Sequence, residues 1–227
     1  MTTTLLLIRH GETTGESSIR LNGSTDVPLS ELGRAQMAAV GTHLATIDVS
    51  DVLTTPLQRA RESALIALPR FQPLTVEGLR EIDFGRWERL TYAEAKALDP
   101  ERYDEMLLGQ PDFGFPGGET RAGFSARVAF AVTTWIGTSA PRFRGTRAIV
   151  AHKGTVKMIR MSLELAGVLR DPSGSTVSEG MSAPAITPCH LGSVSEFIFS
   201  GSRWDLVRWD DTRHLGELFQ PDHPITR

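Results

Sequence analysis

The chain of 227 residues is long enough to bury one sizeable core, and a single domain spanning 1–227 is expected. Hydrophobic residues at 40% and charged residues at 22% exclude a disordered chain. A formal charge of -3, with Lys and Arg scattered, excludes the clustered positive surface that nucleic-acid binding requires, so no such partner is expected.

In chain order, the apolar run Leu5 to Ile8 reads as a strand; it meets a charge at Arg9 and is too short for a signal peptide or a membrane span. Ser30 caps a helix that carries Met37, Val40 and Leu44 at helical spacing. After a short strand at Asp51 to Leu53, Thr55-Pro56-Leu57-Gln58 joins a capping box to a proline at the first helical position, predicting a helix towards Leu68. Thr91 with Glu94 repeats the capping signal, and Phe124, Val128, Val132 and Trp135 mark a longer helix. A strand at Ala148 to Ala151 leads to a helix over Thr155 to Ala166, closed by Gly167. Asp171 to Pro188, rich in Ser, Pro and Gly, reads as a long loop, either a lid or a disordered insertion. The strands Val194 to Phe199 and Leu206 to Trp209, separated by Gly201-Ser202-Arg203, form a terminal hairpin whose edge would serve a homodimer.

This alternation is the rhythm of an α/β fold, a parallel or mixed sheet covered by helices. No later segment has the length of a membrane helix, and the single Cys189 forms no internal disulfide and reads as an unreactive thiol. The default location is the cytoplasm. No cluster of His, Cys and carboxylates has metal-ligand spacing, so neither metal nor cofactor is expected.

Arg9-His10-Gly11-Glu12-Thr13 follows the first strand directly, and ligands of open α/β sheets bind beyond the carboxyl ends of strands. His152-Lys153-Gly154 repeats the arrangement after Ala148 to Ala151. Alone, each histidine would more often be structural. If the two strands are neighbours, roughly 5 Å apart, both imidazoles share one pocket.

With these residues the chain resembles the histidine phosphatase superfamily, the phosphoglycerate-mutase-like family. The resemblance rests on Arg9 to Thr13, on Asp26-Val27-Pro28-Leu29-Ser30 with Gly33, and on Thr55 to Ala60. It continues through Leu79 to Gly85 with Trp87-Glu88, Pro116 to Thr120, and Ala151-His152, in the family's order. It implies a three-layer α/β/α fold with a mostly parallel central sheet. It further implies a metal-independent phosphomonoesterase of histidine acid phosphatase type acting on a small phosphorylated metabolite. His10 would attack phosphorus and become phosphohistidine, while Arg9, Arg59 and His152 form the cationic pocket around the phosphoryl oxygens, as phosphoryl transfer requires. Glu81 would protonate the leaving alcohol and then deprotonate water, because a phosphate dianion beside it favours the uncharged carboxyl. Glu12 would suit a partner for an arginine, and Thr120 would touch the substrate.

Where many members carry an asparagine, this chain has Glu16, which either points away from phosphate or reads a positive or hydroxyl-rich part of the substrate. Arg20, Arg86, Arg89 and Arg121 are candidates for a second anionic group, most of them being solvated surface charges. A phosphoglycerate mutase is the alternative within the family, disfavoured by the short segment between Glu81 and Glu119. A weakly active phospholigand-binding module is the alternative outside catalysis.

Overall fold

The strand β1 (Thr3–Arg9) is apolar on both faces because both are covered, as expected where a strand lies inside a parallel sheet. A computed structural model describes residues 2–138, 140–166, 168–170 and 188–221. The predicted loop lies outside these residues except for Pro188, and so does Gly167. The further strands are β2 (Val49–Thr54), β3 (Leu74–Thr75), β4 (Gly145–Ala151), β5 (Leu169–Arg170), β6 (Val194–Phe199) and β7 (Trp204–Asp211). They form one seven-stranded sheet in the order β3-β2-β4-β1-β6-β7-β5. Only β6 runs against the others, through its antiparallel pairings with β1 and β7.

Side-chain alternation along the strands divides the core in two. Leu5, Leu7, Leu53 and Ile149 pack on one face with Phe124 and Val128 of α5 (Arg121–Ala131) and Val156, Ile159 and Leu163 of α6 (Lys153–Leu165). Leu6, Ile8, Val52 and Val150 pack on the other with Met37, Val40 and Leu44 of α1 (Glu31–Leu44) and Ala64 and Ala67 of α2 (Gln58–Ala67). The result is the expected three-layer α/β/α arrangement with a mostly parallel sheet. Two short helices, α3 (Tyr92–Leu98) and α4 (Pro100–Leu107), extend the first layer around the fully buried Trp87, which meets Tyr103, Phe113 and Phe115 at centroid distances of 5.7 to 6.3 Å.

The Ser30 cap and the Thr91/Glu94 capping box form as read. The box at Thr55 does not. The Thr55 hydroxyl bonds the ring of His152 and takes the Leu57 amide, so α2 begins at Gln58, whose amide donates to Asp26 Oδ1 at 2.7 Å. The helix containing Phe124 also departs from its expected face. After Ala131 it widens into a π turn over Val132–Ile136, which moves the apolar stripe on by one position, burying Ile136 and leaving Trp135 partly exposed. The hairpin forms, but β7 is not the sheet edge, because β5 pairs with Trp204 and Asp205.

Candidate active site

The parallel register sets Arg9 beside Ala151, so the residues that follow, His10 and His152, emerge together at the carboxyl ends of β1 and β4. Their ring centroids lie 5.2 Å apart, as neighbouring strands require. Arg9, His10, Arg59, Glu81 and His152 are all buried. The five converge from β1, α2, the segment after a short 3-10 turn at Glu77–Leu79, and the start of α6.

His10 Nδ1 lies 2.7 Å from the carbonyl of Gly11, which can only accept, so Nδ1 carries the proton and Nε2 keeps its lone pair. Burial, then the charges of Arg59 and Arg9, hold the imidazole well below its ordinary value of 6.5, against a smaller opposing effect of the Gly11 carbonyl. His10 is therefore neutral at physiological pH.

Arg59 is fully buried in α2. Its Nε donates to His152 Nδ1 at 3.2 Å, and its Nη atoms donate to the carbonyls of Thr25, Asn22 and Gly23 at 2.8, 2.7 and 2.8 Å. Four of its five N–H groups are thus committed. Burial lowers it to about 10, opposed by Glu81, Asp26 and Glu88, so it stays charged. The same loop is held from its other side by Glu88, whose carboxylate accepts from the amides of Gly23, Ser24 and Thr25 and from Phe84 at 2.9 to 3.1 Å. The peptide groups of residues 22–25 therefore lie between an anion on their N–H side and a cation on their carbonyl side. A Cβ at Gly23 would come within 1.9 Å of the Ile82 carbonyl, so only glycine permits this approach.

Since Arg59 Nε–H can only donate, His152 Nδ1 accepts and its proton sits on Nε2, which donates to the Thr55 hydroxyl at 2.8 Å. Burial foremost, then Arg59, keep His152 well below 6.5. Contrary to the expectation of three cations, the positive charge of this pocket comes from Arg9 and Arg59, and His152 is neutral. Arg9 Nη1 donates to the carbonyl of Cys189 at 2.7 Å.

Glu81 Oε2 accepts from the amide of Gly154 at 2.8 Å, and Oε1 from the amide of Ile82 at 2.9 Å. The carboxylate thus occupies the first turn of α6, where free amides and the helix dipole favour an anion. A Cβ on Gly154 would stand 2.3 Å from Oε1. Arg127 of α5, which sequence reasoning did not single out, fixes the backbone that presents Glu81. Its guanidinium donates to the carbonyls of Gly78, Arg80 and Glu81 and pairs with Glu119 at 2.7 and 2.8 Å. The signal for it was faint, an arginine two turns into a helix that Glu119 precedes.

Among the described residues Glu12 pairs with backbone rather than with an arginine, accepting from Thr13 N at 2.7 Å and Ser18 N at 3.2 Å and so shaping the loop after His10. Glu16 and Arg20 pair with each other at 2.8 Å beside a cavity of about 370 Å³ lined by Thr14, Gly15, Asn22, Val27 and Arg89 as well. The Thr120 hydroxyl caps α5 by accepting from Gly123 N at 3.0 Å.

The sequence pattern of the histidine phosphatase superfamily (branch 1) matches residues 5–212. The chain belongs to that superfamily. It is 29% identical to phosphoglycerate mutase-like protein 4 of Arabidopsis thaliana over 218 residues, 94% of this chain and 87% of that one. It is 28% identical to the metal-independent phosphoserine phosphatase of the same plant over 221 residues, 95% and 84% of the two chains. Among solved histidine phosphatase structures, Bacillus stearothermophilus YhfR superposes with a TM-score of 0.73 at 28% identity, covering 94% of this chain and 99% of its own. A putative alpha-ribazole-5'-P phosphatase from Escherichia coli gives a TM-score of 0.75 at 22% identity, covering 93% and 98%, a likeness of fold. Among the described residues, no helix is long and apolar enough to cross a membrane.

Proposed function

We propose that the chain is a metal-independent phosphomonoesterase acting on a small phosphorylated metabolite through phosphohistidine at His10. The observation that carries the proposal is a neutral, buried His10 whose tautomer leaves Nε2 as a lone pair, flanked by the charges of two arginines. In the first step Nε2 attacks phosphorus, the P–O bond to the alcohol breaks, and the leaving oxygen takes a proton from the Glu81 carboxyl. In the second step Glu81 takes a proton from water, water oxygen bonds phosphorus, and the P–N bond breaks, releasing phosphate and restoring His10.

Arg9 and the remaining N–H of Arg59 supply the cationic environment for the phosphoryl oxygens, and His152, its one N–H given to Thr55, holds Arg59 in place through Nδ1. Those two charges take the part a divalent ion would otherwise play, and the metal-independent phosphoserine phosphatase among the relatives supports the same reading. Glu16 and Arg20 belong to the cavity beside the pocket, and Thr120, whose oxygen takes the cap bond, keeps its hydroxyl proton and one lone pair. We read the chain as one cytoplasmic domain, supported by a sheet that draws strands from Thr3 to Asp211. Any homodimer would use the outer edge of β7 beyond Asp205, and sedimentation of the purified protein reports it.

The test is hydrolysis of para-nitrophenyl phosphate with and without chelator, alongside His10→Ala and acid-quench trapping of phosphoenzyme. Chelator-resistant phosphate release, with an acid-labile phosphoenzyme that disappears in the variant, is expected. Phosphoenzyme that forms but returns its phosphate only to a bound acid would instead make the chain a mutase. No turnover and no phosphoenzyme in folded protein would overturn catalysis altogether.

A further inference from the structure

The cavity beside the pocket is bounded by the segment 14–22 and by Arg89. Asn22 joins the two sites, lining the cavity while its carbonyl accepts from Arg59 at 2.7 Å. The segment that leads away from His10 thus walls the cavity and also meets Arg59 and Arg9, whose Nη2 donates to the Ser17 carbonyl at 3.4 Å. Two of the three non-glycine residues with left-handed backbone among the described residues, Glu16 at φ 54° and Arg89 at φ 68°, stand in its wall. Such conformations disfavour long side chains and persist where the surroundings impose them. At Arg89 the surroundings are a pair of backbone bonds at 2.8 Å, Arg89 N to Leu21 O and Leu21 N to Leu90 O, which lock the residue against the nucleophile's loop.

The two arginines of the wall are in different states. Arg20 is occupied: Nε donates to Glu16 at 2.8 Å, and Nη1 donates to Glu94 and to the Arg89 carbonyl, each at 3.0 Å. Arg89 has no ion pair or hydrogen bond from its side chain among the described residues. Arg89 is exposed and lines the cavity, and the planar fork of a guanidinium matches a carboxylate or a phosphate.

Resting on the phosphatase reading, we propose that Arg89 is a specificity-determining residue that takes a second anionic group of the substrate, so that the preferred substrates are phosphomonoesters bearing a carboxylate or a further phosphate. Discrimination of this kind is strongest where a site built for a polar group would be left without it.

The experiment compares wild type with Arg89→Gly, which removes the guanidinium and suits the left-handed backbone, so that folding is retained. The probes are 3-phosphoglycerate, fructose 1,6-bisphosphate and glycerol 3-phosphate, the last replacing the carboxylate of the first by a neutral hydroxymethyl group. For at least one anionic probe, the ratio of its kcat/KM to that of glycerol 3-phosphate is expected to exceed one in wild type and to fall at least ten-fold in the variant, chiefly through KM. The carboxylate and phosphate arms show which anion is read. A wild type that hydrolyses glycerol 3-phosphate as well as both anionic probes, or ratios unchanged in a variant of unaltered melting temperature, would overturn the role of Arg89 while leaving the phosphatase intact. A folded wild type without phosphatase activity on any probe or on para-nitrophenyl phosphate would overturn both readings.

Discussion

Each ring nitrogen of the two histidines is assigned by a neighbour with only one possible role, the Gly11 carbonyl for His10 and the Arg59 Nε–H for His152. Because burial and two arginines keep His10 neutral below its ordinary 6.5, the acid limb of kcat/KM governed by this group is expected below pH 6.5. Arg59→Gln removes one of those charges, raises the affinity of His10 for a proton, and should move that limb upward; a pH profile that stays in place would refute the assignment. Gly154 permits a second test. Adding a Cβ there pushes against the end of a flexible side chain, so Gly154→Ala should fold while displacing the Glu81 carboxylate from the α6 amides. Loss of a positioned general acid costs on the order of 10²-fold or more in kcat. The loss should be larger for alkyl phosphates than for para-nitrophenyl phosphate, whose leaving group needs little protonation.

At the scale of elements, the site is held by clamps in which one charged side chain collects several backbone groups. Arg127 gathers three carbonyls around Glu81, and Glu88 gathers four amides around the loop that holds Arg59. Arg127→Ala should lower kcat about ten-fold or more with little change in KM, since a small misplacement of a reacting group is costly while the phosphate contacts remain. Equal loss in both parameters, with an unchanged dependence on the leaving group, would make Arg127 a purely structural residue. Glu81 and Glu88 share one short segment of the chain. Each oxygen of Glu88 accepts two amides and is filled, whereas each oxygen of Glu81 accepts one and keeps a lone pair at the start of the helix that His152 leads.

For the whole molecule, two histidines buried without charge link stability to pH. Above pH 6.5 they are neutral whether folded or not; below it the unfolded chain takes up protons that the native state refuses, so stability falls as pH falls. The slope from this source is up to about 1.4 kcal/mol per pH unit for each histidine. Urea unfolding of wild type and His152→Gln between pH 7 and pH 5 should show a shallower decline in the variant, and parallel declines would argue that other groups dominate.

The strands at Leu5 to Ile8 and Ala148 to Ala151, the Ser30 and Thr91 caps, the hairpin and the family itself were legible in the sequence, because each depends on residue spacing within a short window or on motifs in a fixed order. The two-residue strands β3 and β5, the π turn after Ala131 and the failure of the Thr55 cap were not. The two strands and the lost cap are settled by partners far along the chain: β3 and β5 form only against β2 and β7, Thr55 bonds His152, 97 positions away, and Asp26 takes the first amide of α2 from 32 away. The residue types at the site were thus written in the sequence, while their protonation states and the company they keep were decided by packing. Burial sets the cost of a charge, and only the folded chain determines which donors stand close enough to offset it.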